Sequence, residues 1–297
     1  MTARTLAIQS VVYDNPGADI ERAAAAAAHS ALLAQQAGVI SSWTYLVGDC
    51  SPKRSLGSAH LKHIGDEVSA AGGEFRYEFF DENLGHGGGQ NRLATLTDTD
   101  LILILNPDGQ LAPDAVTVLA STVTGEIGVA DARQVPFEHP KSYDPATGAT
   151  SWASGACSMT QRTAFAAVGG FDHATFFLYC DDVDYSWRLR LAGFRVVFAP
   201  AAALFHDKRL SVNGEWQARA AETYYSAEAA LLLAHKYSRS KIVARLRSQF
   251  AKDPNEAAQR ALAEFDRRER DGSLPTPLDP DHRVGEFVKG NYSEHRY

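Results

Sequence analysis

One stretch of the sequence decides the fold, Leu101-Ile102-Leu103-Ile104-Leu105-Asn106-Pro107-Asp108. An unbroken apolar run of this length is typical of a central strand that is buried on both faces of a parallel sheet. Asp108 follows the strand, and in open α/β sheets ligands bind at the carboxyl ends of the strands. A carboxylate at that edge suits a hard divalent cation. Because Pro107-Asp108-Gly109 also suits a plain turn, the motif alone leaves both interpretations open.

Strand and helix patterns alternate on both sides of this stretch. Further strands are predicted over 6–12, 43–47, 74–80, 129–133, 156–160 and 194–198, and helices over 20–36, 57–71, 90–96, 114–122 and 181–192. This order predicts a Rossmann-like α/β fold, with a mostly parallel central sheet flanked by helices. Between the third strand and its helix we predict a glycine-rich loop over 83–89, where the backbone could approach a ligand. A dinucleotide fingerprint would follow the first strand instead.

The character of the chain changes near residue 215. Alanine-rich helical patterns over 216–237, 242–250 and 255–270 precede an extended, proline-containing tail. We therefore divide the chain into an α/β domain, 1–214, and a helical C-terminal region with an extended tail, 215–297. The segment 235–247 is rich in Lys, Arg and His. A solvated basic helix face and a helix that contacts anionic lipid at a membrane surface both fit that pattern.

The bulk properties exclude several classes of protein. The 297 residues have a formal net charge of −7, which argues against general nucleic-acid binding. The sequence has no run of roughly eighteen apolar residues, and its N-terminus leads into a strand pattern rather than a signal peptide. The three cysteines lie far apart, as is typical of free thiols in a reducing compartment. We expect a cytoplasmic protein, peripheral at the inner face of the membrane if 235–247 binds lipid, and the oligomeric state is left open.

Acidic residues lie at two further places where a site would form. Asp49 follows the second predicted strand and suits either a turn cap or a contact to a nucleotide. Asp181, Asp182 and Asp184 begin a predicted helix. Mutual repulsion among them favours a general base, and the alternative is that they complement the helix dipole. We expect Asp184 to be structural and to pair with Arg188 one turn later.

A basic group follows the last predicted strand. His206 leaves the edge of that strand and is followed by Lys208 and Arg209, a pair suited to phosphate. From these residues alone, His206 is as readily a structural residue as a ligand.

Six motifs occur along the chain in a fixed order: Tyr13-Asp14-Asn15, Val47-Gly48-Asp49-Cys50-Ser51, Asn83-Leu84-Gly85 through Asn91, Leu105-Asn106-Pro107-Asp108, Trp152-Ala153-Ser154-Gly155-Ala156, and Asp181-Asp182-Val183-Asp184 followed by Arg188. Together they resemble the family 2 glycosyltransferases of the GT-A fold, and most closely the bacterial rhamnosyltransferase-like branch. The resemblance covers roughly residues 5 to 240. It implies that 1–214 is a GT-A domain that binds a nucleotide sugar and performs catalysis.

The resemblance also implies roles for single residues. Asp182 matches the catalytic base, and Asp181 stands where the family has Glu. Asp108 and His206 would hold Mn²⁺ or Mg²⁺, with Asn106 in place of the first acid of the family's metal motif. The nucleotide would contact Tyr13, Asp14, Asp49, Asn83, Gly85 and Lys208. The donor and acceptor sugars would lie against Asn106, Trp152, Gly155 and Ala156.

These roles describe an inverting, metal-dependent hexosyltransferase. The donor would be a dTDP-, UDP- or GDP-linked sugar, with rhamnose as one candidate, and the acceptor a glycan or lipid-linked hydroxyl in polysaccharide synthesis. One alternative is a nucleotidyltransferase of related fold, which favours a basic glycine-rich loop after the first strand; this chain has the acidic Asp14-Asn15-Pro16-Gly17 there. The other is a non-catalytic protein that binds sugar nucleotides.

Overall fold

The computed structural model describes residues 3–138, 141–206 and 220–293. The strands are β1 (Arg4–Val12), β2 (Ile40–Asp49), β3 (Glu74–Phe79), β4 (Leu101–Leu105), β5 (Gly109–Leu111), β6 (Ile127–Val135), β7 (Cys157–Gln161) and β8 (Arg195–His206). The helices are α1 (Gly17–Gln36), α2 (Ser58–Ala70), α3 (Gly85–Ala94), α4 (Ala115–Thr122), α5 (Arg162–Ala167), α6 (Asp181–Leu191), α7 (Ala220–Lys236), α8 (Ser240–Phe250) and α9 (Glu256–Arg270).

The strands form one sheet in the order β3-β2-β1-β4-β7-β6-β8-β5. Strands β1 to β4 are parallel to their neighbours in that half, and β6 is parallel to β8. Strand β7 runs antiparallel to both β4 and β6, and β5 runs antiparallel to β8. The predicted α/β fold with a mostly parallel sheet is therefore confirmed, and the antiparallel strands were not predicted.

Strand β4 lies at the centre of the molecule, as its apolar run predicts. Its five residues are buried, and alternate side chains enter different clusters. Leu101, Leu103 and Leu105 pack with the alanine face of α1 on one side of the sheet. Ile102 and Ile104 pack with α5 and α6 on the other side. Asn106 and Asp108 consequently leave the sheet at its carboxyl edge between two layers of helices.

The glycine-rich segment 83–89 is not a loop, and this prediction was wrong. Helix α3 already begins at Gly85 and ends at Ala94. The reason is close packing: a Cβ on Gly87 would lie 2.8 Å from Phe171 Cβ, and one on Gly89 would lie 2.7 Å from Val11 Cγ2. Only glycine lets this helix lie so near β1 and the 171 segment, so tertiary contacts outweigh the low helix propensity of glycine.

Other boundaries differ from the predictions by more than a residue or two. Strand β8 was expected to end at Phe198, but it continues to His206 with a register shift opposite Ala132 and Arg133. That extension pairs His206 with Gly109 of β5, a short strand that the turn signal at Pro107-Asp108-Gly109 concealed. The helical patterns 216–237 and 242–250 correspond to two separate helices, α7 and α8.

Helices α7 to α9 share a hydrophobic core with α6 of the α/β domain. Trp187 of α6 packs edge-on against Tyr237, with ring centroids 4.6 Å apart. Lys236 Nζ lies 2.6 Å from Asp184 Oδ1 and 2.6 Å from Asp172 Oδ2. Asp184 also accepts from Arg188 Nε at 2.7 Å, as predicted. The proposed domain boundary at 214 lies outside the described residues.

Most basic side chains of segment 235–247 bond within the chain. They do so with Asp172 and Asp184 (Lys236), the Gly285 carbonyl (Arg239), the Lys289 carbonyl (Arg245), and Asp266 and Glu269 (Arg247). This pairing favours a structural role for the segment over lipid contact. Among the described helices, none is both long and apolar enough to cross a bilayer.

Candidate functional site

The predicted metal ligands lie together at the carboxyl edge of the sheet. His206 Nε2 is 3.2 Å from Asp108 Oδ1. That oxygen is buried and makes no hydrogen bond to any described residue. Asn106 Nδ2 lies 3.4 Å from the same His206 nitrogen. Residues 95 or more positions apart in the chain therefore converge because β5 pairs with the end of β8.

Gln134 fixes how His206 presents its ring. Its Oε1 lies 3.0 Å from His206 Nδ1, and its Nε2 donates to Ser154 Oγ at 3.0 Å. An amide oxygen only accepts, so Nδ1 holds the proton and Nε2 keeps a lone pair. Two lone-pair atoms 3.2 Å apart repel unless a proton or cation lies between them. The pair Asp108–His206 therefore fits a divalent cation.

The two acids at the start of α6 have different surroundings. Asp181 is buried, and its Oδ2 lies 2.6 Å from His86 Nδ1. Asp182 is half-buried; its Oδ2 accepts from the Gly155 amide at 2.9 Å and its Oδ1 from the Val183 amide at 2.8 Å. Two backbone amides thus hold the carboxylate of half-buried Asp182 in place.

Gly155 and Ala156 connect these acids with the metal pair. The Gly155 amide donates to Asp182, and the Ala156 carbonyl accepts from the Asn106 amide at 2.9 Å. A Cβ on Gly155 would lie 2.9 Å from His86 Cε1, so glycine is required there. The predicted base and the predicted metal ligands consequently lie on the two sides of one short backbone segment.

Asp49 organises the loop after β2. Its oxygens accept from the Ser51 and Ser55 amides, from Ser55 Oγ and from Tyr77 OH, at 2.5 to 2.9 Å. Burial raises the pKa of Asp49, but these hydrogen bonds outweigh it and hold the pKa below its ordinary value. The side chain is fully buried, which favours the turn-cap interpretation.

The other predicted nucleotide contacts lie near this loop or at the start of α3. The Asp14 amide donates to Ser51 Oγ at 2.9 Å, which joins the loops after β1 and β2. The Tyr13 ring is 50% exposed and can stack on a planar ligand. Asn83 Oδ1 accepts from the Gly85 amide at 3.2 Å. Gly85 has φ +67° and a Cβ there would lie 2.2 Å from the Phe177 carbonyl oxygen, so only glycine fits.

Trp152 is held inside the protein rather than facing the cleft. Its side chain is 4% exposed, with Lys141 Nζ 4.0 Å from the ring centroid and Tyr292 packed edge-on. Lys141 also donates to the Trp152 carbonyl at 2.9 Å and pairs with buried Asp131. Little of the indole is left for a sugar, so the backbone of 155–156 is the better surface for that contact.

Three features of the site were missed from the sequence. They are His86 beside Asp181, Gln134 beside His206, and the Asp131–Lys141 pair, whose Asp131 Oδ1 accepts from the Ser154 amide at 2.9 Å. Asp131, a charged residue within the apolar strand pattern of 129–133, was the one sequence signal for the Asp131–Lys141 pair. Lys208 and Arg209, predicted to contact phosphate, lie outside the described residues. Across the described ranges, no three His, Cys, Asp or Glu side chains form a ready metal cluster.

Solved structures with this fold are glycosyltransferases. The mannosyltransferase PcManGT from Pyrobaculum calidifontis, solved with GDP-Man and Mn²⁺, superposes with a TM-score of 0.56 over 92% of this chain and 77% of that chain, at 13% identity. GalNAc-T7, solved with UDP, GalNAc and Mn²⁺, gives a TM-score of 0.61 over 93% of this chain and 59% of that chain, at 11% identity. The fold is therefore GT-A.

Sequence relatives narrow the class. Residues 46–186 match Glycosyl transferase family 2. The chain is 28% identical over 179 residues to N-acetylglucosaminyl-diphospho-decaprenol L-rhamnosyltransferase of Mycobacterium tuberculosis, covering 44% of this chain and 58% of that relative's length. Over 67 residues, 23% of this chain and 25% of the relative, it is 34% identical to Rhamnosyltransferase WbbL of Escherichia coli K12. The resemblance to family 2 glycosyltransferases that was drawn from the six motifs is therefore confirmed over residues 46–186.

Proposed function

We propose that the protein is an inverting, divalent-cation-dependent glycosyltransferase that moves a sugar from a nucleoside diphosphate to an acceptor hydroxyl. One observation supports this most strongly. Gly155 and Ala156 bond on one side to Asp182 and on the other to Asn106, next to the Asp108–His206 pair. A base and a site for the leaving group thus lie on opposite sides of a backbone segment against which a sugar can lie.

The base in this proposal is Asp182. A single displacement at the anomeric carbon requires one group that takes the proton of the acceptor hydroxyl, and it inverts the configuration. Asp182 is the less buried of the two acids, and the amides of Gly155 and Val183 fix its orientation. Asp181 is buried against His86 and contributes through that contact.

The leaving group is stabilised at the sheet edge. Asp108 and His206 would hold Mn²⁺ or Mg²⁺, with the remaining ligands supplied by the diphosphate and water. When bound, the cation neutralises the charge that develops on the diphosphate. Gln134 keeps the His206 lone pair directed at that position, and the Tyr13 ring with the loop ordered by Asp49 forms the surface for the nucleotide.

The names of the sequence relatives suggest the substrates. Both are called rhamnosyltransferases, and one name specifies a diphospho-decaprenol acceptor. We therefore propose rhamnose as the donor sugar and a lipid-linked glycan as the acceptor. The family match supports a transferase over a nucleotidyltransferase, and the joint presence of Asp108, Asp182 and His206 supports catalysis over mere binding.

The test is a transfer assay with dTDP-, UDP- and GDP-linked sugars, Mn²⁺ and a lipid-linked acceptor. The wild type should release nucleoside diphosphate and extend the acceptor. Asp182→Asn should lose at least about a hundredfold in transfer while its donor affinity stays nearly unchanged, because a base acts in the transition state.

Asp66→Asn, an exposed carboxylate of α2, is the matched control and should behave as wild type. Transfer by Asp182→Asn within about tenfold of wild type, equivalent to about 1.4 kcal/mol of barrier, would show that the base lies elsewhere. Release of pyrophosphate from a nucleoside triphosphate would instead favour the nucleotidyltransferase.

A further inference from the structure

The first turn of α3 inserts an imidazole beside the two acids of α6. His86 Nδ1 lies 2.6 Å from Asp181 Oδ2, although the residues are 95 positions apart. The ring packs edge-on against Phe171, with centroids 5.6 Å apart. The glycines on both sides of His86 allow this approach, since Gly85 lies under the Phe177 carbonyl and Gly87 against Phe171. The helix that overturned the loop prediction is thus the element that delivers this side chain.

The opposite edge of the imidazole faces the segment that holds Asp182. His86 Nε2 is buried and makes no hydrogen bond within the described part of the chain. A Cβ on Gly155 would lie 2.9 Å from His86 Cε1 and 3.6 Å from Asp182 Cβ. The ring therefore fills the space between the buried acid on one side and the Gly155–Asp182 contact on the other.

The charges around the ring favour its protonated form. Burial on its own lowers the pKa of His86, but the carboxylates of Asp181 and Asp182 outweigh it and raise the pKa above its ordinary value of 6.5. These two acids from α6 are the charged groups that act on the ring; Gly155 and Phe171 complete its surroundings with uncharged contacts. An imidazolium between two carboxylates lowers the cost of keeping both ionised so close together.

We propose that His86 is a positioning residue whose imidazolium binds Asp181 and thereby leaves Asp182 as the acid that accepts the proton of the acceptor. This inference rests on the proposed glycosyl transfer. It explains how two adjacent carboxylates take different roles: Asp181 is buried against His86, whereas Asp182 is the more exposed acid and is oriented by backbone amides. In this proposal His86 acts through Asp181.

The first experiment measures the pH dependence of kcat for His86→Asn. The amide of Asn can still donate to Asp181, but it cannot supply a positive charge. Without the cation the neighbouring acids ionise at higher pH, so the acidic limb of the profile should move up by about half a pH unit or more. The donor KM should change less than about threefold. His60→Asn is the matched control, because His60 Nδ1 also lies 2.7 Å from a carboxylate, Glu21, but away from the site.

A purely structural role predicts a different result. It would lower kcat evenly across the pH range, or lower stability, and leave the acidic limb in place; that outcome would overturn the proposal. A shift of equal size in His60→Asn would overturn it as well.

The second experiment does not depend on activity. NMR titration of the His86 ring in the full chain should give a pKa above 6.5, and Asp181→Asn should lower it. A His86 pKa at or below 6.5 in wild type, or no change in Asp181→Asn, would overturn the proposal. If no donor supports transfer, the proposed function fails, while this titration still decides whether His86 is the charged partner of Asp181.

Discussion

At the scale of single residues, the site depends on side chains that orient other side chains. The side chain of Gln134 bonds to neither Asp181 nor Asp182, yet its amide determines which nitrogen of His206 has the lone pair. The same amide ties His206 to Ser154, and Ser154 lies next to the Gly155–Asp182 contact. A substitution of Gln134 should therefore affect both the Asp108–His206 pair and the Gly155–Asp182 contact.

Gln134→Met should weaken Mn²⁺ binding, measured in the presence of nucleoside diphosphate, by about 10- to 100-fold. The thioether cannot hold the proton of His206 Nδ1 as an amide oxygen does. Gln134→Glu keeps an acceptor at that place and should bind Mn²⁺ nearly as well as wild type. Electron paramagnetic resonance of free Mn²⁺ measures the affinity, with Asp108→Ala as the reference for a lost ligand. Equal affinity in the Met and Glu variants would remove Gln134 from this role.

At the scale of elements, α3 shows how tertiary packing sets the identity of a helix. Gly89 and Gly65 both lie inside helices, but their surroundings differ. A Cβ on Gly89 would lie 2.7 Å from Val11 Cγ2, whereas a Cβ on Gly65 would meet Phe75 Cδ1 at an ordinary 3.6 Å. The same substitution should therefore have opposite effects at the two positions.

Gly65→Ala should raise the free energy of unfolding by about 0.5 to 1 kcal/mol, because alanine favours the helix over the unfolded chain. Gly89→Ala should lower it by about 1 to 3 kcal/mol, because the added methyl group overpacks the contact with β1. Urea unfolding followed by circular dichroism measures both. A higher free energy of unfolding for Gly89→Ala would contradict the close packing of α3 against β1.

The sequence predicts those elements whose signal is local. The apolar run of β4, the alanine-rich pattern of α1 and the helical pattern of α9 are local, and each element forms within three residues of its prediction. The family resemblance also implies that Asp108 and His206 lie together, and the two side chains are 3.2 Å apart.

The missed features have no local pattern. His86 gains its partner 95 positions away, and Gln134 meets a histidine 72 positions away. The glycines of α3 predict a loop because glycine disfavours helices. The contacts that outweigh this preference are with Val11 of β1 and with Phe171, which are distant in the sequence. The sequence of β7 does not indicate which way the strand runs, so its antiparallel pairing with β4 and β6 was not predicted.

At the scale of the whole molecule, Lys236 joins the C-terminal helices to α6. Its side chain is 5% exposed and its ammonium contacts Asp172 and Asp184. Burial raises the pKa of Asp172, but hydrogen bonds from Lys236 and Thr175 outweigh it, so the pKa is lowered from its ordinary value of 3.8. The pair therefore stabilises the fold at pH above 3.8 and loses this contribution as the pH falls through the lowered pKa.

Lys236→Met should lower the free energy of unfolding at pH 7 by about 3 kcal/mol, since it removes the buried ammonium that Asp172 and Asp184 share. Lys241→Met, an exposed neighbour in the same segment, should change it by less than about 0.5 kcal/mol. Urea titrations at several pH values measure both, and the deficit of Lys236→Met should shrink below pH 3.8 as Asp172 takes up a proton. A deficit that is independent of pH would show that packing, rather than charge, holds the helices together.

The buried triad of Lys236, Asp172 and Asp184 limits how this chain can recombine. A chimera that joins the sheet of this protein to the C-terminal helices of a relative would separate the ammonium from its two carboxylates at the crossover. Such a hybrid inherits either an ammonium without its two carboxylates or two carboxylates without that ammonium, with Asp184 still paired to Arg188, unless all three positions are inherited together. Crossovers between 184 and 236 should therefore be rare among functional recombinants, and those that survive should have compensating changes at 172 or 184.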